Sequence, residues 1–90
     1  MDLSQLRCEI DAIDTELVKL FCARMNLSAQ VADYKKAKDL PIYHPQRERE
    51  ILEKVGSLAG SDLEVYTREL YTEIFRLSRK YQSIRNDEVI

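Results

Sequence analysis

The sequence predicts an all-α fold of three helices, of which the first is very long, the second short and the third of medium length. No glycine or proline occurs before Pro41. Up to that point apolar residues recur at alternating spacings of three and four, which is typical of a helix with one apolar face. Beyond it, prolines and glycines divide the 90-residue chain into two shorter helical segments. A chain of this length forms one domain.

The first helix is predicted to run without interruption from Asp2 to about Lys38. Asp2 and Gln5 have the spacing of a capping box at its first turn. Pro41 ends it, because the residue before a proline is disfavoured in helical conformation. A break at residues 26–28 that folds the helix back as a hairpin is the alternative. The apolar face of the predicted first helix is formed by Leu3, Leu6, Ile10, Ile13, Leu17, Leu20, Leu27, Val31 and Tyr34.

The second helix is predicted over residues 45–55. Pro45 suits its first turn, because the amide hydrogen that proline lacks has no helical partner there. Gly56 and Gly60 are expected to bracket the turn that follows.

The third helix is predicted over residues 62–83, and Ser61 with Glu64 three residues later indicates a second capping box. The three helices together form one domain over residues 1–84. The polar residues 85–90 are expected to be a frayed tail or the start of a linker.

Charge and cysteine content argue against several classes of protein. The net charge of −2 gives no indication of general binding to nucleic acid or to an anionic membrane. We find no signal peptide and no apolar run of about 20 residues that would span a bilayer. Cys8 and Cys22 lie about 21 Å apart on one helix, too far for a disulfide. Reduced cysteines indicate a cytoplasmic protein, and the single His44 indicates no metal site.

The predicted first helix is too long for a compact monomer. At about 1.5 Å per residue it spans roughly 55 Å, whereas a compact domain of this size has a diameter of roughly 30 Å. One chain cannot cover the apolar face of such a helix, but a second copy can if the two long helices lie side by side. We therefore predict an intertwined homodimer.

Cationic residues interrupt the apolar face of the first helix. Arg24 stands where the spacing of three and four calls for a leucine. Lys35 follows eleven residues later, which is close to three full turns of a helix. The two residues therefore lie on the same face, about 16 Å apart along the axis. Arg7 also borders this face, but it lies about 42 Å from Lys35 along the helix. Only in an antiparallel dimer can Arg7 of one subunit approach the site of the other.

The other two helices add polar residues to the inner side. Arg47 and Glu48 lie one turn before apolar positions of the second helix, and Ser78 and Gln82 form an i,i+4 pair on the third. Inward charges are costly unless they are paired or bound to a ligand. Because the cations outnumber the carboxylate, a small dianion is the expected ligand. The alternative is a set of interhelical salt bridges from Arg7 or Arg24 to Glu9, Asp11 or Asp14.

Four stretches of the sequence carry a family resemblance: LRCEIDAIDTELVKLFCARM, VADYKKAK, PIYHPQREREIL and FRLSRKYQ. With these motifs in order over residues 3–82, the chain resembles the AroQ-type chorismate mutases, the all-helical type II enzymes. The resemblance implies an isomerase that rearranges chorismate to prephenate in phenylalanine and tyrosine biosynthesis. It also implies a homodimer with shared active sites, no covalent intermediate and no cofactor.

The same resemblance implies a role for each matching residue. Residues that bind the substrate carboxylates are implied at Arg7 (from the partner subunit), Arg24, Arg47 and Ser78. Catalytic roles are implied for Lys35 and Gln82 as donors to the ether oxygen, and for Glu48 as acceptor from the ring hydroxyl. His44 departs from the pattern, because many relatives have aspartate there, and we expect a helix-capping or surface role for it.

Two other functions are consistent with this fold. Isochorismate–pyruvate lyases share it and have similar cationic residues, but the lyases of this type lack a carboxylate at the position of Glu48. A non-catalytic helical dimerisation or regulatory module would not need to retain the complete set of polar residues. Both considerations favour the mutase.

Overall fold

The computed structural model describes the backbone of residues 1–88 and the side chains of residues 1–84. It consists of three helices, α1 (Leu3–Ala37), α2 (Pro45–Ala59) and α3 (Glu64–Glu88), and the described residues contain no strand. The all-α prediction is therefore confirmed. The backbone of α3 continues to Glu88. The expectation of a frayed tail or linker at residues 85–90 otherwise lies outside the described residues.

Helix α1 is a single helix of 35 residues, and the hairpin alternative is wrong. Its first turn has the predicted capping box. The Asp2 side chain accepts from the Gln5 amide at 2.9 Å, and the Gln5 side chain accepts from the Asp2 amide at the same distance. Two of the amide groups that a helix start leaves unpaired are thereby satisfied.

The end of α1 is a Schellman motif, in which the backbone reverses through a left-handed residue. Asp39 has φ = 57°. The Leu40 amide donates to the Lys35 carbonyl at 2.7 Å, and the Asp39 amide donates to the Lys36 carbonyl at 3.1 Å. The helix therefore ends at Ala37, before the proline that was expected to end it. Lys35 is consequently in the last turn, next to the connector formed by residues 38–44.

Replacement of Asp39 by glycine is expected to stabilise the protein by about 0.5–1 kcal/mol, because glycine adopts the left-handed conformation without a Cβ clash. The free energy of unfolding in urea, measured at one fixed protein concentration, tests this expectation. Asp39→Ala is the matched control and should be less stable than the natural chain. A glycine variant no more stable than the alanine variant would contradict the effect.

Helix α2 is four residues longer than predicted, and the expectation that Gly56 brackets a turn is wrong. Gly56 lies inside the helix, and only Gly60, with φ = 84°, ends it. A glycine inside a helix costs about 1 kcal/mol relative to alanine. Gly56 is buried where α3 approaches, and a Cβ there would lie 2.6 Å from the Arg68 Nε. Because the Arg68 side chain is flexible and can move aside, this contact does not by itself require glycine. The position is a helical contact between α2 and α3 and not a turn.

The predicted capping box at the start of α3 is also wrong. The helix begins at Glu64, so this residue is in the first rather than the third position, and Ser61 lies in the preceding turn. The Leu63 amide donates to the Gly60 carbonyl at 3.3 Å within that turn. Glu64 instead pairs with Arg68 one turn later, at 2.6 Å.

The hydrophobic core of one chain is small. Helix α3 packs against both α1 and α2, and the buried apolar residues are Ala29, Ala32, Val55 and Phe75. None of the described side chains is completely buried. The N-terminal part of α1 projects beyond the packed region, and the molecule is 53 Å long in its largest dimension. The apolar face of α1 is exposed along most of its length, including Leu3, Leu6, Ile10, Ile13, Leu17, Leu20 and Leu27.

Candidate active site

A cleft of about 370 Å³ lies between the C-terminal half of α1, the start of α2, the connector and the C-terminal half of α3. Its size is that of a small-molecule site. Six of the seven residues selected from the sequence line it: Arg24, Lys35, Arg47, Glu48, Ser78 and Gln82.

Arg24 is held in the cleft by aromatic rings. Its guanidinium carbon lies 5.7 Å from the centroid of the Tyr71 ring and 5.6 Å from that of Phe75, within the range of cation–π attraction. No carboxylate among the described side chains forms a salt bridge with Arg24. Glu9, Asp11 and Asp14 lie at least about 15 Å from Arg24 along the same helix, so they cannot pair with it within one chain. The alternative of interhelical salt bridges from Arg7 or Arg24 to these residues would need a second subunit and stays a prediction.

Lys35 connects the end of α1 to the connector. Its Nζ donates to the Ile42 carbonyl at 3.1 Å, and its side chain is half-buried. An ammonium group has three donors, so two of them remain for a ligand in the cleft. Lys35 forms no salt bridge with any other described residue.

Ser78 and Gln82 are buried between α3 and α1, with only 6% and 8% of their surface exposed. The Ser78 hydroxyl donates to the Met25 sulfur at 3.3 Å, and the Gln82 Nε2 donates to the Ser28 carbonyl at 2.9 Å. The Gln82 amide nitrogen carries a second hydrogen. These bonds orient both polar groups. Gln82 keeps one N–H for a bound molecule, whereas the single hydrogen of the Ser78 hydroxyl must turn away from Met25 before it can donate to one.

The two polar residues of α2 differ in their environment. The Glu48 carboxylate is half-buried and accepts a hydrogen bond from Arg79 through Oε2. Arg47 lies at the rim of the cleft, where its side chain is 64% exposed and its Nη1 is 3.8 Å from Glu50. Without a ligand, Arg47 is therefore directed mainly towards solvent.

Arg79 and Tyr43 were not selected from the sequence. The Arg79 guanidinium lies over the Tyr43 ring, 4.8 Å from its centroid, and pairs with Glu48. Arg79 follows Phe75 by four residues and precedes Gln82 by three, so helical spacing places it on the inner side of α3. The sequence could therefore have indicated Arg79 as a residue of the cleft through its spacing from Phe75 and Gln82.

His44 lines the rim of the cleft and is exposed. It occupies the N-cap position of α2, but its side chain makes no capping hydrogen bond. The surface role expected for it agrees with this position, whereas the capping role by its side chain is wrong.

The cleft has a marked positive charge. Four cationic side chains line it, Arg24, Lys35, Arg47 and Arg79, against the single carboxylate of Glu48. The formal excess is three positive charges among the described lining residues. Such a site attracts small anions and is most stable when an anion offsets part of the charge.

Arg7 is the one selected residue that does not line the cleft. It is exposed on the N-terminal half of α1, about 42 Å from Lys35 by the rise of the helix. A single chain therefore does not assemble the full set of predicted residues.

Residues 1–88 contain neither a metal-ligating cluster nor a membrane-spanning helix. No group of three or more metal-ligating side chains occurs among them. No helix in this part of the chain combines the length and apolar character needed to cross a bilayer.

Comparison with known proteins gives one family. Residues 6–83 match the family model described as chorismate mutase type II. A bifunctional chorismate mutase/prephenate dehydratase of Aquifex aeolicus is 44% identical over 54 residues, which are 60% of this chain and 15% of that protein. A T-protein of Haemophilus influenzae is 47% identical over 51 residues, 57% of this chain and 14% of that protein.

A shorter relative is a chorismate mutase of Methanocaldococcus jannaschii. It is 36% identical over 56 residues, which cover 62% of this chain and 57% of that protein. The chain thus covers less than two thirds of each of these relatives. No solved structure matches it.

Proposed function

We propose that this chain, which belongs to the chorismate mutase type II family, rearranges chorismate to prephenate in phenylalanine and tyrosine biosynthesis. The observation that carries the proposal is the cleft with four cationic side chains and one carboxylate. Chorismate has two carboxylates, a ring hydroxyl and an enol ether. Its double negative charge offsets the cationic excess, and the Glu48 carboxylate provides an acceptor for the hydroxyl.

The reaction breaks a C–O bond and forms a C–C bond within one molecule, so no covalent intermediate with the protein is needed. The protein lowers the barrier in two ways. Holding the compact, chair-like conformer is an orientation effect worth several kcal/mol. Donors aimed at the ether oxygen, where negative charge grows as the C–O bond breaks, contribute roughly 3–4 kcal/mol.

Lys35 and Gln82 are the donors to the ether oxygen. Each uses one N–H on a backbone carbonyl, of Ile42 and Ser28 respectively, and each has at least one further N–H. Because the backbone contacts already orient the side chains, little reorganisation is needed when the substrate binds. This is the preorganisation that makes electrostatic catalysis effective.

The carboxylates are bound by arginines, whose planar donors match them in bidentate geometry. Arg24 is positioned by the Tyr71 and Phe75 rings and lacks an acidic partner among the described residues. Arg47 turns inward from Glu50, which costs little because such an exposed pair contributes about 0–1 kcal/mol. Ser78 assists at the inner end of the cleft.

The active form is an intertwined homodimer in which Arg7 of the partner subunit completes each cleft. The exposed apolar face of α1 supports this assembly, because a second copy is of the right length and character to cover it. An apolar groove formed by Leu17, Val18, Phe21, Leu70, Ile74 and Leu77 continues this surface onto α3. Apolar burial of about 1.5–3 kcal/mol for each large side chain would stabilise the dimer.

Replacement of Ile13 by lysine is expected to dissociate the dimer and abolish most activity. Ile13 is 59% exposed on the apolar face of one chain, and a charge at this position would be buried in both subunits. Analytical ultracentrifugation with parallel activity assays measures the effect.

Glu16→Lys is the matched control, because this side chain is 68% exposed and Lys19 is its one ion-pair partner among the described residues. It should stay dimeric and active. A dimeric, active Ile13→Lys variant would contradict the proposed interface.

The activity itself is tested by supplying purified protein with chorismate and, separately, isochorismate. Prephenate formation from chorismate supports the proposal. Pyruvate release from isochorismate without prephenate formation would instead assign a lyase. Specific binding of chorismate without turnover of either compound would assign a non-catalytic module.

We place the protein in the cytoplasm. Cys8 and Cys22 are both exposed free thiols, as is usual where the environment is reducing. Localisation of a tagged chain by cell fractionation tests this placement.

A further inference from the structure

We propose that Arg79 is a positioning residue of the active site, which holds the Glu48 carboxylate ready to accept the ring hydroxyl of the substrate. This inference rests on the proposed mutase function. Arg79 lies on α3 and Glu48 on α2, 31 positions apart in the sequence, and their side chains form an ion pair at the wall of the cleft. Neither residue is fully exposed, with 35% and 23% of the side-chain surface accessible.

The geometry of the pair leaves part of Glu48 available. Arg79 Nη1 donates to Oε2 of the carboxylate, and no hydrogen bond between described residues uses Oε1. A carboxylate accepts several hydrogen bonds through its two oxygens. Arg79 can therefore fix the orientation of Glu48 while Oε1 stays open for a hydroxyl donor.

The Tyr43 ring fixes Arg79 in turn. The guanidinium lies over this ring at 4.8 Å from the centroid, so it contacts the connector as well as α2. Planar guanidinium groups combine stacking on an aromatic face with hydrogen bonding at their edge. The side chain is thus held between two elements that border the cleft.

Arg79 also keeps Glu48 from pairing with the cations that bind the substrate. Arg24 and Lys35 line the same cleft without an acidic partner among the described side chains. A Glu48 carboxylate without Arg79 would be attracted to these cations, which the substrate needs. Pairing Glu48 with a cation that does not bind the substrate keeps the cleft open to a dianion.

Arg79→Met tests the inference in the proposed dimer of this chain. We expect kcat/KM for chorismate to fall about tenfold, as coupled neighbouring groups commonly produce, and Arg79→Lys to restore part of the loss. In a Glu48→Gln background the same change should lower kcat/KM less than about twofold, because its effect passes through the carboxylate.

Arg76→Met is the matched control. It removes an arginine one turn earlier on α3 whose ion pair, with Glu73, is exposed and outside the cleft. Its activity should equal that of the natural chain.

Binding of two dianionic inhibitors that differ only in the ring hydroxyl distinguishes positioning from direct contact. Arg79→Met should weaken binding of the hydroxylated inhibitor and leave that of the deoxy compound within about twofold. Equal weakening for both would overturn the inference and assign Arg79 to the carboxylates. No weakening for either would also overturn it. Neither result affects the proposed function, which the mutase activity of the natural chain tests separately.

Discussion

Replacement of Lys35 by alanine is expected to lower kcat by about 10²–10³-fold, because loss of one preorganised donor to a developing negative charge has an effect of this size. Lys35 is in the last turn of α1 and points into the cleft. In the proposed mechanism, the charge that Lys35 stabilises appears only as the C–O bond breaks. The loss should therefore be larger in kcat than in KM.

The helices should remain folded in this variant. Within the described residues, the Lys35 side chain makes one hydrogen bond, to the Ile42 carbonyl, and no salt bridge. Alanine is also a good helix former. Circular dichroism and the unfolding midpoint should stay close to those of the natural chain.

Lys36→Ala is the matched control for this experiment. Lys36 is the next residue in the same helical turn, it is exposed, and it does not line the cleft. The substitution removes the same charge from nearly the same place. Unchanged turnover in Lys35→Ala, or an equal loss in both variants, would remove Lys35 from the mechanism.

Mixing inactive Arg7→Ala and Lys35→Ala subunits is expected to restore activity. If each site takes Lys35 from one chain and Arg7 from the other, a heterodimer has one intact site and one site with both substitutions. Random mixing gives about one half heterodimers in a twofold-symmetric dimer. The mixture should then reach about one quarter of the natural activity.

The reason for this expectation is distance. Arg7 and Lys35 of one chain lie about 42 Å apart on one continuous helix, so a substrate cannot contact both. The subunits are mixed by unfolding and refolding together, with each variant refolded alone as a control. If the mixture shows only the average of the two separate activities, the sites do not share residues across subunits.

Those site residues could be predicted from the sequence whose position on a helix face follows from helical spacing alone. Arg24 stood out because a cation replaced an expected leucine, and Lys35 because eleven residues return to the same face. Both line the cleft. Arg79 was missed because it is one of several charged residues on α3, including Arg76 and Lys80. Only its contacts with Glu48 and Tyr43 distinguish it from a surface cation.

The incorrect expectations for the fold have a common cause. Gly56 was assigned to a turn and Ser61 to a helix cap because both residue types favour these positions locally. The packing of α2 against α3 decided otherwise. Gly56 stays helical where Arg68 and Glu64 approach, and α3 begins only at Glu64. Weak local preferences are overridden when neighbouring helices pack closely.

The sequence by itself determined the helical class, the length of α1 and the direction of its charged residues, because all three depend on spacing along one helix. The tertiary structure decided which helix each polar group faces. It brought Glu48 to Arg79 and Gln82 to Ser28 across 31 and 54 positions of sequence. Such contacts depend on how helices pack against each other, and no periodicity within a single helix encodes that geometry.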